Sequence, residues 1–111
     1  MRPPVRYFGI TALIAGSLVT LLAQNTASPE KGNELFDEQC SSCHFSASVD
    51  KKVGPGLKLL FAKEKLESNG KPVNDANVLE KIDKGGGKMP AFKDSLSADD
   101  KADLIAYLKT L

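Results

Sequence analysis

All the cysteine and histidine in this chain falls within five residues, "CSSCH" at positions 40–44. Three kinds of chemistry use thiols and an imidazole so close together: a structural zinc knuckle, a dithiol redox centre, and covalent attachment of haem. A zinc site needs about four nitrogen or sulfur ligands closed into a tetrahedron. Here Cys40, Cys43 and His44 are the whole supply, and two of them are adjacent in sequence, which suits a single small ion poorly. A dithiol of the thioredoxin kind sits between a strand and a helix, and no segment of this chain reads as a strand. Haem fits without strain. Thiols at i and i+3 of a helical turn share a face and can each add across one vinyl group of the porphyrin. The imidazole at i+4 then faces the iron from the same side. That arrangement explains why His44 follows Cys43 directly while Ser41 and Ser42 are unconstrained, and Cys-x-x-Cys-His is a c-type haem attachment signal.

A haem held in this way needs a sixth ligand, and elimination narrows the choice. His44 is the sole histidine, so two histidines from one chain cannot bind the iron. Of the two methionines, Met1 lies in the leader and Met89 follows three glycines in "DKGGGKMPAF". Glycine lets backbone pass close to a flat ligand, and Pro90 stiffens the chain just beyond. Read alone, Met89 is a core gap-filler and the glycines a slack turn. Beside a haem, a His/Met pair is the pattern of electron transfer. Filling both axial positions leaves no open site for oxygen or peroxide. A haem enzyme or gas sensor with a labile sixth ligand is the competing function.

These residues must be positioned by a small fold. Arg2 and Arg6 precede an uncharged apolar run over residues 8–23 of the 111-residue chain, the layout of an export signal. Ala23 offers a cleavage point, but Leu21 stands where a small residue is preferred, so an uncleaved membrane anchor is the second reading of residues 1–23. Removing 23 residues from 111 leaves 88, enough for only a thin hydrophobic core. Domains of that size usually need a staple, and a bulky apolar cofactor would supply one. The composition, 41% hydrophobic and 26% charged with a formal net charge of +1, argues neither for nucleic acid nor for disorder.

Residues 24–28 read as a polar linker into the domain proper, 29–111. Ser28-Pro29 is a cap followed by a first helical residue, and the helix should run to about Cys40. "VGPG" (residues 53–56) is a loop, and residues 57–66 look like a short helix ended by the Asn69-Gly70 turn. Asn74 is a plausible cap for a helix with Val78, Leu79 and Ile82 on one stripe, stopped at Gly85. Ser97 and Asp100 have capping-box spacing before a helix whose apolar face carries Leu104, Ile105, Leu108 and Leu111. The expected fold is all-α, three or four helices wrapped around the cofactor.

The ordered series "GNELFDEQCSSCH", "VGPGL", "GGGKMPAF" and "LSADDKADLIAYLKTL" resembles the small mono-haem class I cytochromes c of bacterial periplasms, across nearly all of residues 29–111. The resemblance implies one covalent haem c bound through thioethers at Cys40 and Cys43, with iron between His44 and Met89. It also implies that the carbonyl of Pro55 accepts a hydrogen bond from the outer N–H of His44, and that Gly32, Phe36 and Tyr107 form a crossing of the first and last helices. The expected role is a one-electron carrier, not an enzyme, exported to the periplasm and possessing an optional membrane tether through residues 8–23. Its partners would be redox proteins, a donor dehydrogenase or reductase complex and an acceptor such as an oxidase. Lys51, Lys52, Lys58, Lys84, Lys88 and Lys93 are candidates for a basic docking ring, interspersed with Asp50, Asp83 and Asp94. The polar stretch "ESNGKPVN" departs from the pattern and leaves the propionate side of the haem and the partner surface open.

Overall fold

The computed structural model describes residues 26–111, together with Pro4 and Gly16. Apart from those two residues, the leader expected over residues 1–23 and the start of the linker over 24–28 therefore lie outside the described residues. The described part contains three α-helices: α1 (Pro29–Gln39), α2 (Asp75–Lys84) and α3 (Ala98–Leu108), with a 3-10 turn at Leu60–Ala62. Among the described residues there is no strand, only the isolated bridges Lys65 to Pro72 and Gly86 to Met89. No helix among them is long and apolar enough to cross a membrane.

Each α-helix starts where a side chain can satisfy its first free N–H groups. The Ser28 hydroxyl accepts from Lys31 N–H with Pro29 at the first helical position. Asn74 accepts from Asn77 N–H. Ser97 and Asp100 cap each other reciprocally, at 3.0 and 3.1 Å.

The first and last helices meet at Gly32. A Cβ at that position would collide with the carbonyl oxygen of Asp103 and stand 2.7 Å from Tyr107 Cβ. Only glycine lets the two backbones come this close. Phe36 and Tyr107 pack beside the crossing, with ring centroids 5.5 Å apart and tilted by 55°, a favourable aromatic geometry. Ser28 N–H closes the same corner by donating to Asp103 Oδ1 at 2.7 Å. Val78 and Ile82 from α2, with Leu104, Ile105 and Leu108 from α3, complete one core with Phe36, Leu60, Phe92 and Leu96.

One expected element is not formed. Residues 57–66 are not a helix: Leu59 takes a left-handed conformation (φ 59°), and only Leu60–Ala62 make a 3-10 turn. The reason lies in where the apolar side chains must go. Leu57, Leu60 and Leu66 all line one cavity. At about 100° per residue, a continuous α-helix would put Leu66 on the face opposite Leu57. Breaking the helix lets all three face inward.

Candidate haem-binding site

The site begins where α1 ends. Cys40 leaves helical geometry (φ −123°, ψ −30°) and the chain tightens into a further turn. Cys40 and Ser41 N–H both donate to the Phe36 carbonyl, at 2.8 and 2.9 Å, while Cys43 and His44 N–H both donate to the Cys40 carbonyl, at 3.1 and 3.0 Å. This coil brings Cys40, Cys43 and His44 together in the wall of a cavity of about 290 Å³.

The next loop fixes the imidazole. His44 Nδ1 lies 2.8 Å from the carbonyl oxygen of Pro55. A carbonyl can only accept, so Nδ1–H is the donor here, which leaves Nε2 as the nitrogen available to a metal. Gly54 packs flat against the ring: a Cβ there would strike Cε1 and stand 2.9 Å from Nδ1 and 3.0 Å from Nε2. Gly54 N–H also donates to the Cys43 carbonyl at 2.8 Å. "VGPG", a loop by its composition and the source of the Pro55 contact by the family resemblance, is thus a clamp on His44.

Met89 enters the same cavity from the segment between α2 and α3. All three preceding glycines have positive φ: Gly85 at 63°, Gly86 at 135° and Gly87 at 60°. Gly86 and Met89 exchange backbone hydrogen bonds, each 3.0 Å, around Gly87 and Lys88, with the sign pattern of a type II′ turn, which takes glycine at its first central position. The triplet is therefore a structured turn that aims Met89, not a slack connection. Val78, Ile82, Leu60, Phe92 and Leu108 supply the apolar wall.

The two other chemistries fit this geometry badly. Among the described residues no three His, Cys, Asp or Glu side chains are grouped to hold a metal ion. Cys40 and Cys43 are not joined to each other in a disulfide. As a free thiol, Cys40 would be pushed up to about 11 by burial, and the neighbouring Cys43 would add to the rise. A reactive dithiol needs the opposite shift, usually from a helix N-terminus, whereas Cys40 caps a C-terminus. Paired thiols, an imidazole held through Nδ1, a thioether and apolar walls around one cavity match the donor set and shape that a covalent haem requires.

All five residues singled out in the sequence, Cys40, Cys43, His44, Pro55 and Met89, line this cavity. So do residues that were not anticipated: Lys63, Lys65 and Lys81, and Glu67 and Ser68 from the polar insertion. The insertion folds back on itself through Leu66 N–H to Lys71 C=O at 2.9 Å and forms part of the wall. The expected basic ring is incomplete. Lys84 is spent on Glu80 at 2.9 Å. Lys52 donates to the Ser41 carbonyl at 3.0 Å and lies over the Phe45 ring. Lys51, Lys58, Lys88 and Lys93 are exposed.

Comparison with known proteins agrees with this chemistry. Residues 27–108 match the family described as cytochrome c oxidase, cbb3-type, subunit III. Cytochrome c6 of Microcystis aeruginosa is 39% identical over 77 residues, covering 69% of this chain and 89% of that one. The chain belongs to the class I cytochromes c. The cytochrome bc1 complex cytochrome c subunit of Corynebacterium diphtheriae is 35% identical over 72% of this cytochrome, which spans only 26% of that longer protein. The crystal structure of cytochrome c6 from the diatom Phaeodactylum tricornutum shares the fold, with a TM-score of 0.59 at 23% identity over 76% of this chain and 93% of that one. As a small mono-haem cytochrome c, this protein carries one covalently bound c-type haem with its iron, and it is an electron carrier, not an enzyme.

Proposed function

We propose that Cys40 and Cys43 form the two thioether bonds to the haem, that His44 Nε2 and the Met89 sulfur are its axial ligands, and that the protein shuttles single electrons between redox partners in the periplasm. The observation that carries this reading is the 2.8 Å contact between His44 Nδ1 and the Pro55 carbonyl, in a cavity also lined by both cysteines and Met89. The haem supplies a one-electron Fe(III)/Fe(II) couple. The chain's residues set its conditions. Pro55 holds the imidazole in one tautomer and raises its basicity. A thioether is a soft neutral donor that favours the reduced state and raises the potential. The apolar walls from α2 and α3 exclude water.

The partners on this reading are a donor dehydrogenase or reductase complex and an acceptor oxidase. The match to an oxidase subunit family and the similarity to a bc1 complex subunit support that setting. Exposed Lys51, Lys58, Lys88 and Lys93 would steer acidic partners with a salt-sensitive rate. Absorption spectroscopy with a redox titration of the purified protein tests the assignment. The ferric protein is expected to show the far-red sulfur–iron band, and Met89→Ala is expected to lose it while keeping the covalent haem and losing potential. A colourless product, or a wild type that binds cyanide at once, would overturn the ligand set.

A further inference from the structure

The segment that carries Met89, residues 85–97, returns to the body of the protein at two points. Phe92 N–H donates to the Ile82 carbonyl at 3.0 Å and Lys93 N–H to the Asp83 carbonyl at 3.2 Å. A side chain from the following helix closes over this junction. Lys101 of α3 places Nζ 2.8 Å from Asp83 Oδ1 on α2 and 2.9 Å from the backbone carbonyl of Lys93. One ammonium group therefore joins both helices and the Met89 segment.

This pair differs from the other ion pairs in its burial. The side chains of Lys101 and Asp83 are 14% and 27% exposed. Asp83 Oδ1 is shielded from water and makes no aligned hydrogen bond, so the charge of Lys101 is what compensates it. A second pair joins α2 to the residue just past α3: Lys109 and Asp75, likewise 2.8 Å apart but 47% and 63% exposed. Its ammonium group lies over the Phe61 ring, outside the Met89 segment, and an exposed pair of this kind contributes little.

We propose that Lys101 is a positioning residue for Met89: by clamping the Lys93 carbonyl against Asp83, it holds the segment in place and slows departure of the thioether from its ligand position. The proposal rests on Met89 being that ligand. Lys101→Met keeps the length of the side chain and removes its charge and donors.

The test uses the haem-loaded ferric protein and measures the rate at which added imidazole replaces the sixth ligand, read from loss of the far-red band. Lys101→Met is expected to raise that rate about tenfold, the scale of one lost hydrogen bond to a charged group. Lys101→Arg is expected to restore a rate close to wild type, and Lys109→Met to leave it unchanged. Asp83→Asn cuts the same clamp from its other end and is expected to act in the same direction. It carries the test should Lys101→Met fail to fold. An unchanged imidazole rate in both clamp variants, or an equal acceleration in Lys109→Met, overturns the clamp and leaves the ligand assignment standing. A wild type without the far-red band overturns the assignment itself, and the clamp with it.

Discussion

The loops that carry His44 and Met89 both use glycine to bring a donor into one cavity, but they use it differently. On the His44 side, Gly54 makes room for the donor ring itself. On the Met89 side, Gly85 makes room for the backbone that bears the donor: a Cβ there would collide with the Met89 carbonyl and stand 2.6 Å from the Pro90 carbonyl oxygen. One loop is locked at the imidazole itself, through the Pro55 hydrogen bond and the flat contact of Gly54. The other is locked at its ends, and a flexible side chain is left to find its place. Damage to the first should therefore appear as altered ligand chemistry, and damage to the second as altered folding or ligand retention.

The largest effect expected from this contrast is in Gly85→Ala. Gly85 combines a positive φ of 63° with obstacles that are backbone atoms. An L-residue in that conformation costs about 1–3 kcal/mol, and overpacking against rigid neighbours costs about as much again. The sum, about 3 kcal/mol or more, is a large share of the stability of a small domain. Urea denaturation of the haem-loaded protein should show a much lower midpoint for this variant. A midpoint equal to wild type would mean that the turn before Met89 is softer than its dihedral angles indicate.

Gly54→Ala comes next. Its obstacle is a side chain on a loop, which can move, so the stability cost should be smaller, about 1–2 kcal/mol. The informative readout is the reduction potential. On the proposed ligation, pushing the ring away from Pro55 weakens the hydrogen bond that would make His44 a stronger donor, and a weaker donor favours the ferrous state. The potential of Gly54→Ala should rise relative to wild type in a redox titration, whereas lower stability with an unmoved potential would show that Gly54 serves only packing.

The same contrast explains what was legible in the sequence. Information carried by local bonding could be read directly. Ser28 before Pro29, Asn74, and the Ser97–Asp100 box each cap a helix through atoms at most three residues apart. The five-residue motif and Met89 were legible because so few thiols, imidazoles and thioethers are present to choose from. The Pro55 contact and the Gly32 crossing were reached through the family resemblance. Residues 57–66 were misread because their composition suits a helix, while the cavity requires Leu57, Leu60 and Leu66 on one side. Lys101 and Asp83 stand 18 positions apart, each ordinary on its helix surface, and only the fold reveals that they meet over Lys93. What could not be read is what depends on the cofactor's shape or on contacts distant in sequence.

The smallest effect should come from outside both loops, which makes it a control on the comparison. Glu80 on α2 holds Lys84 and Lys71 at 2.9 Å, tying the helix to the polar hairpin. The hydrogen bond from Lys84, then that from Lys71, together with their charges, lowers the Glu80 carboxyl from its ordinary 4.5 to about 2. A carboxyl depressed in the folded state contributes stability that is complete above its unfolded value and disappears as pH falls through the folded one. Wild type should therefore exceed Glu80→Gln by a small margin at neutral pH, and the margin should close between pH 4.5 and about 2. Added salt should shrink it at neutral pH, because the pair is exposed and screened. The far-red band at neutral pH should be identical in the two proteins, since the ion-pair partners of Glu80 are Lys71 and Lys84, outside the His44 and Met89 loops. A margin independent of pH would remove the ion-pair account, and a weakened band in Glu80→Gln would show that the hairpin is coupled to the Met89 loop through α2 and that the two loops are not independent.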